Sequence, residues 1–325
     1  MAQIFHTTSI ITGADRWDHI LARFGYKRSQ HRVQPGLYAL ASPEPDSPVF
    51  VTANYSLSFD ALRGALRGQN AYILVLDTHG VNVWCAAGKG TFGTEELVSK
   101  VRTTGLDKVV SHKNLILPQL GATGVSAHKV REACGFEIEY GPVRAEDLSE
   151  YLKIHQATPE MRKVRFNLMD RLTLAPVEVV HSFLPMILIA GISFLIGGLF
   201  YLLWSLTAWL AATVLFMALL PWIPTREFST KGLILGALIV IPFATYQISF
   251  SDNSMLYNLM RVIPMGLITT ALVSFYSLNM TGSTPLTSWT GVKREISRYV
   301  PVLAVMAAIG VFLFVLRLFG LGGRS

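Results

Sequence analysis

The chain has 325 residues, enough for two domains, with 28 Lys and Arg against 21 Asp and Glu. Residues 182–325 hold only 11 of these charged side chains, which excludes an ordinary soluble fold for that part and predicts a soluble domain followed by a membrane domain. The excess positive charge lies beside the apolar segments, so it predicts a lipid boundary and no nucleic-acid partner. Two cysteines far apart in sequence exclude a disulfide framework.

Residues 1–46 are expected to form an N-terminal extension. From residue 47 to residue 160, apolar strands alternate with amphipathic helices, as in AYILVLD followed by TEELVSKVRTTG. Continuous apolar strands of this kind predict a parallel sheet covered on both faces, which is a Rossmann-like α/β fold. Residues 161–181 are expected to be a basic juxtamembrane linker.

Residues 182–325 predict an all-α transmembrane domain of about five helices that acts as an anchor. The uncharged run from Ser182 to Thr225 exceeds the roughly 20 residues of one span, so we expect a tight helical hairpin near Trp204 and Ser205. Four spans remain possible if that turn is absent. The basic loop residues fall mostly on one side, which predicts a multi-pass protein of the cytoplasmic membrane with its N-terminal domain in the cytoplasm. The expected spans are 183–204, 206–223, 232–250, 259–278 and 300–319.

Ligands of parallel sheets bind beyond the carboxyl ends of the strands. The loops expected there are VTANYS, DTHGVNVWCAAGKG, LPQLGATG and YGPVRAED. Three of them are rich in Gly, Ala and Pro and poor in charge. This composition favours a large, flat and mostly neutral ligand over a polyphosphate.

The second of these loops contains fragments of three known signatures. Gly88 to Gly93 matches G-x-G-x-x-G, but its first Gly comes 11 positions after the strand end near Asp77, too far for a dinucleotide fingerprint. A P-loop would need Gly at position 83 and Ser or Thr at position 90, which hold Val and Gly. Asp77 to Asn82 is similar to the D-x-H-x-x-G motif of B12 enzymes, but its last Gly is Asn, and His79 is more simply a solvated loop residue.

Cys85 is the candidate metal ligand of this loop. Asn82 can cap a short helix whose first turn is Val83 to Cys85, and the positive end of that helix favours a thiolate. The small residues from Ala86 to Gly88 would let a planar group lie close to the helix. The alternative is a small buried hydrophobic residue, the usual role of a free cysteine and the one expected for Cys134.

The blocks NVWCAAGKG, SPVFVTANYSLSFD, LILPQLGATGVSAHKV and FEIEYGPVRAEDL resemble the mercury-methylating corrinoid protein family. They are similar, more loosely, to the large subunit of the corrinoid iron–sulfur protein of acetyl-CoA synthesis. TGSTPLTSWTGVKREI, at Thr281 to Ile296, resembles a block that both share. The clear resemblance covers Ser47 to Tyr151.

The resemblance implies a cobalamin-type corrinoid bound at the strand ends. Cys85 would be the catalytic residue and the lower axial ligand of cobalt, carried on a cap helix from Asn82 to Lys89. The residues that would contact the cofactor are Thr52, Asn54, Ser56, Asn82, Val83, Trp84, Ala86, Ala87, Gly88, Lys89, Gln119, Leu120, Gly121, Gly141, Pro142 and Val143.

The resemblance further implies a corrinoid-dependent methyltransferase. A methyltetrahydrofolate-linked donor would supply the methyl group, and methyl-cobalt(III) would pass it to Hg(II) as a carbanion equivalent or a radical, giving methylmercury. Because the sequence has only two cysteines, electrons are expected from a ferredoxin-like partner with two [4Fe–4S] clusters. Two alternatives stay open: a membrane-anchored methyl carrier of carbon metabolism, and a B12-binding module of one-carbon metabolism without dedicated mercury activity.

Overall fold

The computed structural model of the chain describes residues 3–284 and 289–319. It divides into two compact units, Met1–Arg165 and Phe166–Ser325. The first unit is a sheet between layers of helices, and the second is helical. Residues 285–288, inside the block 281–296 noted above, lie outside the described residues.

The first unit is built on one six-stranded sheet with the order β1-β2-β4-β3-β5-β6. Its strands are β1 (Ile4–Thr7), β2 (Gly36–Leu40), β3 (Val49–Ala53), β4 (Ala71–Leu76), β5 (Asn114–Leu117) and β6 (Glu137–Tyr140). Its α-helices are α1 (Gly13–Arg23), α2 (Ser56–Ala65), α3 (Val83–Lys89), α4 (Thr94–Thr103), α5 (Ala127–Cys134) and α6 (Leu148–Ile154).

The parallel arrangement predicted for residues 47–160 is confirmed for β4, β3, β5 and β6. Two expectations need correction. Residues 1–46 were expected to form an N-terminal extension, but they contribute β1 and β2 to the same sheet and so belong to the α/β domain. That sheet is also mixed, since β2 pairs with β4 in the antiparallel direction.

Strand β3 shows why the strands of this sheet are unbroken runs of apolar residues in the sequence. Val49 and Val51 pack in one core with residues of α3, α4 and α5, whereas Phe50 packs in a second core with residues of α2 and α6. Successive side chains of a strand point to opposite faces, so a strand covered on both faces buries every residue. Each large side chain buried in this way contributes about 1.5–3 kcal/mol.

The connections around β3 create a crevice at the carboxyl ends of the strands. From β3 the chain passes through α2 to β4 on one side, and from β4 it passes through α3 and α4 to β5 on the other side of β3. The helices that follow β3 and β5 therefore cover opposite faces of the sheet. Strands β3 and β5 are neighbours in the sheet, and the chain leaves them toward opposite faces. In an open α/β sheet, ligands usually bind in the crevice between two such strands.

Within the described residues of the second unit, four helical segments are long and apolar enough to cross a membrane. They are Leu168–Leu219, Phe228–Ser249, Met255–Gly282 and Thr290–Leu318. The first segment comprises α7 (Leu168–Leu172), α8 (Ala175–Leu210), a π-helical turn (Ala211–Leu215) and α9 (Phe216–Leu219). The others correspond to α10 (Phe228–Ser249), α11 (Met255–Asn279) and α12 (Trp289–Leu318).

Helix α8 reverses direction within its length. Gly197 and Gly198 leave helical geometry, and Gly198 has a φ of 63°, which favours glycine. Trp209 Nε1 donates to Ser182 Oγ at 2.8 Å across 27 residues, whereas a straight helix would separate them by roughly 40 Å. The turn expected near Trp204 and Ser205 is therefore wrongly placed: Trp204 is helical and buried, and the chain folds back at the glycine pair.

Candidate functional site

The cap helix predicted around Cys85 is helix α3, seven residues long. Asn82 is its N-cap, and Oδ1 of Asn82 accepts a hydrogen bond from the backbone N–H of Cys85 at 2.9 Å. Such a cap contributes about 1 kcal/mol. The helix ends at Gly90, whose φ of 84° stops it in the left-handed region. The predicted capping of this short helix is confirmed.

The two faces of α3 differ in their surroundings. Val83, Ala86 and Ala87 are buried in the core beneath the helix. At about 100° per residue, Cys85 and Gly88 lie on the opposite, outward face. We expected Ala86 and Ala87 to make room for a planar group, but the structure uses them to pack α3 against the sheet.

The two thiols of the chain have different environments. Cys134 Sγ donates to the carbonyl of Val130 at 3.3 Å, which is the intrahelical contact of a structural cysteine. Cys85 is half-buried, and its thiol has no hydrogen-bond or ion-pair partner in the part of the chain that the structure describes. Of the two, only Cys85 is therefore available to a ligand on the outward face of a helix.

Asn54 holds the loop that leads into α3. Its side chain is 2% exposed, and its Oδ1 accepts hydrogen bonds from the backbone N–H groups of Thr78 and Gly80, both at 3.0 Å. Its Nδ2 donates to Asp77 at 3.1 Å. We expected Asn54 to contact the cofactor, but its polar atoms are committed to this loop, so it positions the cap helix instead.

Ser56 is also committed to a contact within the protein. Its hydroxyl donates to Asp18 at 2.6 Å, and the other oxygen of Asp18 lies 2.6 Å from Nδ1 of His31. Burial lowers the pKa of His31, but its hydrogen bonds to the Tyr26 carbonyl and to Asp18 outweigh burial and raise the pKa overall. Neither Asp18 nor His31 was predicted as a site residue, because both precede residue 47, where the expected domain begins.

A cleft of about 340 Å³ opens at the carboxyl ends of β3, β5 and β6, beside the start of α3. Eight of the predicted cofactor residues line it: Thr52, Asn82, Val83, Trp84, Leu120, Gly141, Pro142 and Val143. The lining residues that the sequence analysis missed are Phe50, Ser58, Ala61, Leu62, Ile116, Leu117, Pro118, Arg144, Ala145 and Leu148. Among the described lining residues, Arg144 alone is charged, and the rest make a mostly apolar wall.

Some of the missed residues had a signal in the sequence. Phe50 lies two positions before Thr52 and so points to the same face of β3. Arg144 directly follows Val143 in the same loop. Leu62 and Leu148 had no such signal, because the packing of α2 and α6 over the cleft is a tertiary feature.

The remaining predicted residues lie outside the cleft lining, and Cys85 is one of them. Gln119 accepts a hydrogen bond from Arg162 at 3.1 Å. Gly121 makes room for a neighbouring ring, since a Cβ there would lie 2.6 Å from Phe92. Gly88 and Lys89 are exposed at the end of α3. Whether these residues touch a cofactor stays a prediction.

Comparison with known proteins finds similarity between this unit and subunits of acetyl-CoA-synthesising complexes. Residues 21–152 match the model of the CdhD family, described as the CO dehydrogenase/acetyl-CoA synthase delta subunit. The first unit is related to this family. The match begins after β1 and covers strands β2 to β6, the cap helix and the residues that line the cleft.

Individual relatives agree with the family match. The acetyl-CoA decarbonylase/synthase complex subunit gamma of Methanopyrus kandleri is 30% identical over 128 residues, 39% of this chain and 27% of the relative. The corresponding subunit of Archaeoglobus fulgidus is 29% identical over 131 residues, 39% of this chain and 27% of the relative. The corrinoid/iron-sulfur protein large subunit of Moorella thermoacetica is 25% identical over 162 residues, 47% of this chain and 36% of the relative. The chain thus spans about a quarter to a third of these relatives' length.

Proposed function

We propose that the first unit binds a corrinoid at the carboxyl ends of β3, β5 and β6 and carries a methyl group for transfer. The observation that carries this proposal is Cys85: a thiol that has no partner among the described residues, on the outward face of a capped helix. The first residues of that helix, Asn82, Val83 and Trp84, line the apolar cleft. The kinship with a corrinoid/iron-sulfur protein large subunit supports it.

The residues present fit a corrinoid better than a bare metal ion. No group of three His, Cys, Asp or Glu that could hold a metal ion occurs among the described residues. A corrinoid brings most of its metal's ligands with it, so one protein side chain, Cys85, would be enough to hold the metal. The cleft, with one charged residue in its lining, suits a flat and largely uncharged ring.

The roles of the protein residues follow from their positions. When bound, the corrinoid supplies a cobalt–carbon bond from which a methyl group can leave. Cys85 would hold the metal as a thiolate and donate electron density to it. Asn82 and Asn54 hold the helix and its leading loop, and Trp84 and Gly88 would flank the ring beside Cys85.

We propose Hg(II) as the methyl acceptor, giving methylmercury. The block NVWCAAGKG supports this choice, since it resembles the mercury-methylating corrinoid family. A methyltetrahydrofolate-linked donor and a ferredoxin-like partner with two [4Fe–4S] clusters belong to the same proposal. So does a location in the cytoplasmic membrane with the first unit in the cytoplasm, which the apolar helices and basic loops support.

Anaerobic reconstitution of the full-length protein tests this function. The protein is loaded with corrinoid and supplied with a reduced two-cluster ferredoxin, a methyl donor and Hg(II). We expect Cys85→Ala to change the visible spectrum of the corrinoid and to abolish methylmercury formation, while Cys134→Ala, the matched control, leaves both unchanged. Full activity of Cys85→Ala would contradict the mechanism. Partial activity of Cys85→His would show that another axial ligand substitutes in part.

A second candidate function is a membrane-anchored methyl carrier of carbon metabolism, with mercury only an incidental acceptor. The acetyl-CoA decarbonylase/synthase relatives favour it. It predicts the same spectral effect of Cys85→Ala. A competition experiment distinguishes the two functions. A methyl carrier of carbon metabolism should transfer its methyl group to an acetyl-CoA-synthesising partner faster than to Hg(II).

A further inference from the structure

The reversal of α8 places one aromatic ring at the end of the helical bundle. Tyr201 follows the Gly197–Gly198 turn and is fully buried. A side chain at Gly197 would overlap the ring of Tyr201, so this glycine allows the ring to pack against the turn. The position of the ring is therefore set by the backbone of the turn.

Two arginines from different helices lie against this ring. The guanidinium of Arg261 on α11 is 5.1 Å from the ring centroid of Tyr201, and that of Arg317 on α12 is 5.6 Å away. Arg317 also donates a hydrogen bond to the Tyr201 hydroxyl. Each guanidinium also contacts a second aromatic ring. The ring centroid of Phe200 is 5.6 Å from Arg261, and that of Tyr257 is 5.8 Å from Arg317. Aromatic faces stabilise each cation but neutralise neither.

Neither guanidinium has a carboxylate partner among the described residues. Arg261 in addition has a buried Nε without a hydrogen-bond acceptor. Asp252 lines the same surface cleft as Arg261, about 490 Å³ in volume, but forms no ion pair with either arginine in the described part of the chain. Two unneutralised cations in an apolar helical unit are costly and mark a binding site for an anion.

An apolar groove begins at the same ring. It has a volume of about 400 Å³ and runs between the two halves of α8 and helices α11 and α12. Along α11 it extends from Met265, one turn beyond Arg261, to Tyr276, a length of roughly 16 Å at 1.5 Å per residue. Tyr201 thus separates a cationic end from an apolar channel, an arrangement that matches a molecule with an anionic head and a hydrocarbon chain.

We propose that Arg261 and Arg317 bind the phosphate of an acidic phospholipid, with one acyl chain in the groove. Guanidinium groups bind phosphate oxygens through paired, charge-assisted hydrogen bonds. Cationic pockets between membrane helices are known to select lipid headgroups. The proposal does not depend on the corrinoid function, because every residue that it uses lies in the second unit.

Native mass spectrometry of the full-length protein tests the site. The protein is released from nanodiscs that contain equal amounts of phosphatidylglycerol and phosphatidylcholine. We expect the wild type to retain phosphatidylglycerol preferentially and the R261Q/R317Q variant to retain it about tenfold more weakly. R298Q is the matched control, since it removes one positive charge from α12 at roughly 28 Å from Arg317 along the helix. Equal retention by wild type and R261Q/R317Q, or equal retention of both lipids, overturns the proposal.

Further variants and a free anion distinguish lipid binding from misfolding of R261Q/R317Q and from binding of any anion. Ala208→Phe places a ring in the groove and leaves both arginines intact, so we expect it to weaken lipid retention as well. R261K/R317K keeps both charges and should retain more lipid than R261Q/R317Q. Inorganic phosphate should raise the thermal midpoint less than phosphatidylglycerol does. An equal rise with phosphate, or undiminished retention by Ala208→Phe, rejects the acyl-chain part and with it the lipid assignment.

Discussion

The side-chain oxygen of Asn54, at the end of β3, accepts a hydrogen bond from the backbone N–H of Thr78, in the loop after β4, at 3.0 Å. The hydroxyl of Thr78 lies 2.9 Å from the same oxygen and 2.6 Å from the carbonyl of Val81. This contact links the sheet to the loop that precedes Asn82 and the cap helix. The position of Cys85 therefore depends on a residue more than thirty positions earlier in the chain.

Asn54→Ala removes the acceptor for two backbone N–H groups, that of Thr78, which is buried, and that of Gly80, which is part-buried. We expect the free energy of unfolding to fall by about 1–3 kcal/mol, mainly because the buried N–H group of Thr78 is left without a partner. Corrinoid binding should weaken in parallel, since the cap helix loses its support. Thermal unfolding and corrinoid titration of the full-length protein measure the two effects. Asn70→Ala is the control on an exposed contact, and a loss of stability no larger than in that control would contradict the role of Asn54.

Gly88→Leu tests which face of the cap helix meets the cofactor. A Cβ at Gly88 would meet no atom within 4 Å, and leucine favours a helix over glycine by up to about 1 kcal/mol. We therefore expect stability to stay equal or rise while corrinoid affinity drops, because the new side chain stands beside Cys85. Gly13→Leu, at another open helical glycine, should leave affinity unchanged. Unchanged affinity of Gly88→Leu would show that the ring does not lie on this face.

Gly124→Ala tests how tightly the cap helix is seated. A Cβ at Gly124 would lie 3.0 Å from the Cα of Ala87 and would overlap the carbonyl oxygen of Phe92. We expect destabilisation by about 1–3 kcal/mol and weaker corrinoid binding, because the helix must shift outward. Thr123→Ala, an exposed neighbour, serves as the control. If Gly124→Ala unfolded at the same thermal midpoint as the wild type, close packing between the cap helix and the loop at residue 124 would not contribute to stability.

His31 predicts a pH dependence of stability. Both of its ring nitrogens face acceptors, the Asp18 carboxylate and the Tyr26 carbonyl, each at 2.6 Å, so the protonated form satisfies both. Although burial lowers its pKa, these contacts raise the pKa above the ordinary 6.5 in the folded protein. The stabilisation is therefore fully present below pH 6.5 and is lost as the pH rises through the raised value.

Replacement of His31 isolates this contribution. His31→Gln cannot carry the charge, so its thermal midpoint should fall less than that of the wild type between pH 6 and pH 8. The measurement is the difference between the two unfolding midpoints of the full-length protein at each pH. His128→Gln, on an exposed histidine, is the control. Parallel pH profiles for wild type and His31→Gln would contradict the assignment.

Much of this molecule could be predicted from local sequence. The cap of α3 joins Asn82 to Cys85, three residues away, and such short-range contacts are encoded by neighbouring residues. Unbroken apolar strands likewise indicated a sheet covered on both faces, and the low charge after residue 181 indicated the apolar helices. The loops after β3, β4, β5 and β6 were correctly expected at the carboxyl ends of their strands.

Only the tertiary structure decided which way side chains point and which distant segments meet. Asn54 turns to the loop and Ala86 to the core, because the backbone N–H groups and the sheet beneath them must be satisfied first. The strands before residue 47 join the sheet, and α8 reverses at Gly198, through pairings across long separations that leave no periodic signal. The sequence by itself indicated the strands and helices of residues 47–160 and Cys85 as the candidate ligand. Packing decided the walls of the cleft around it.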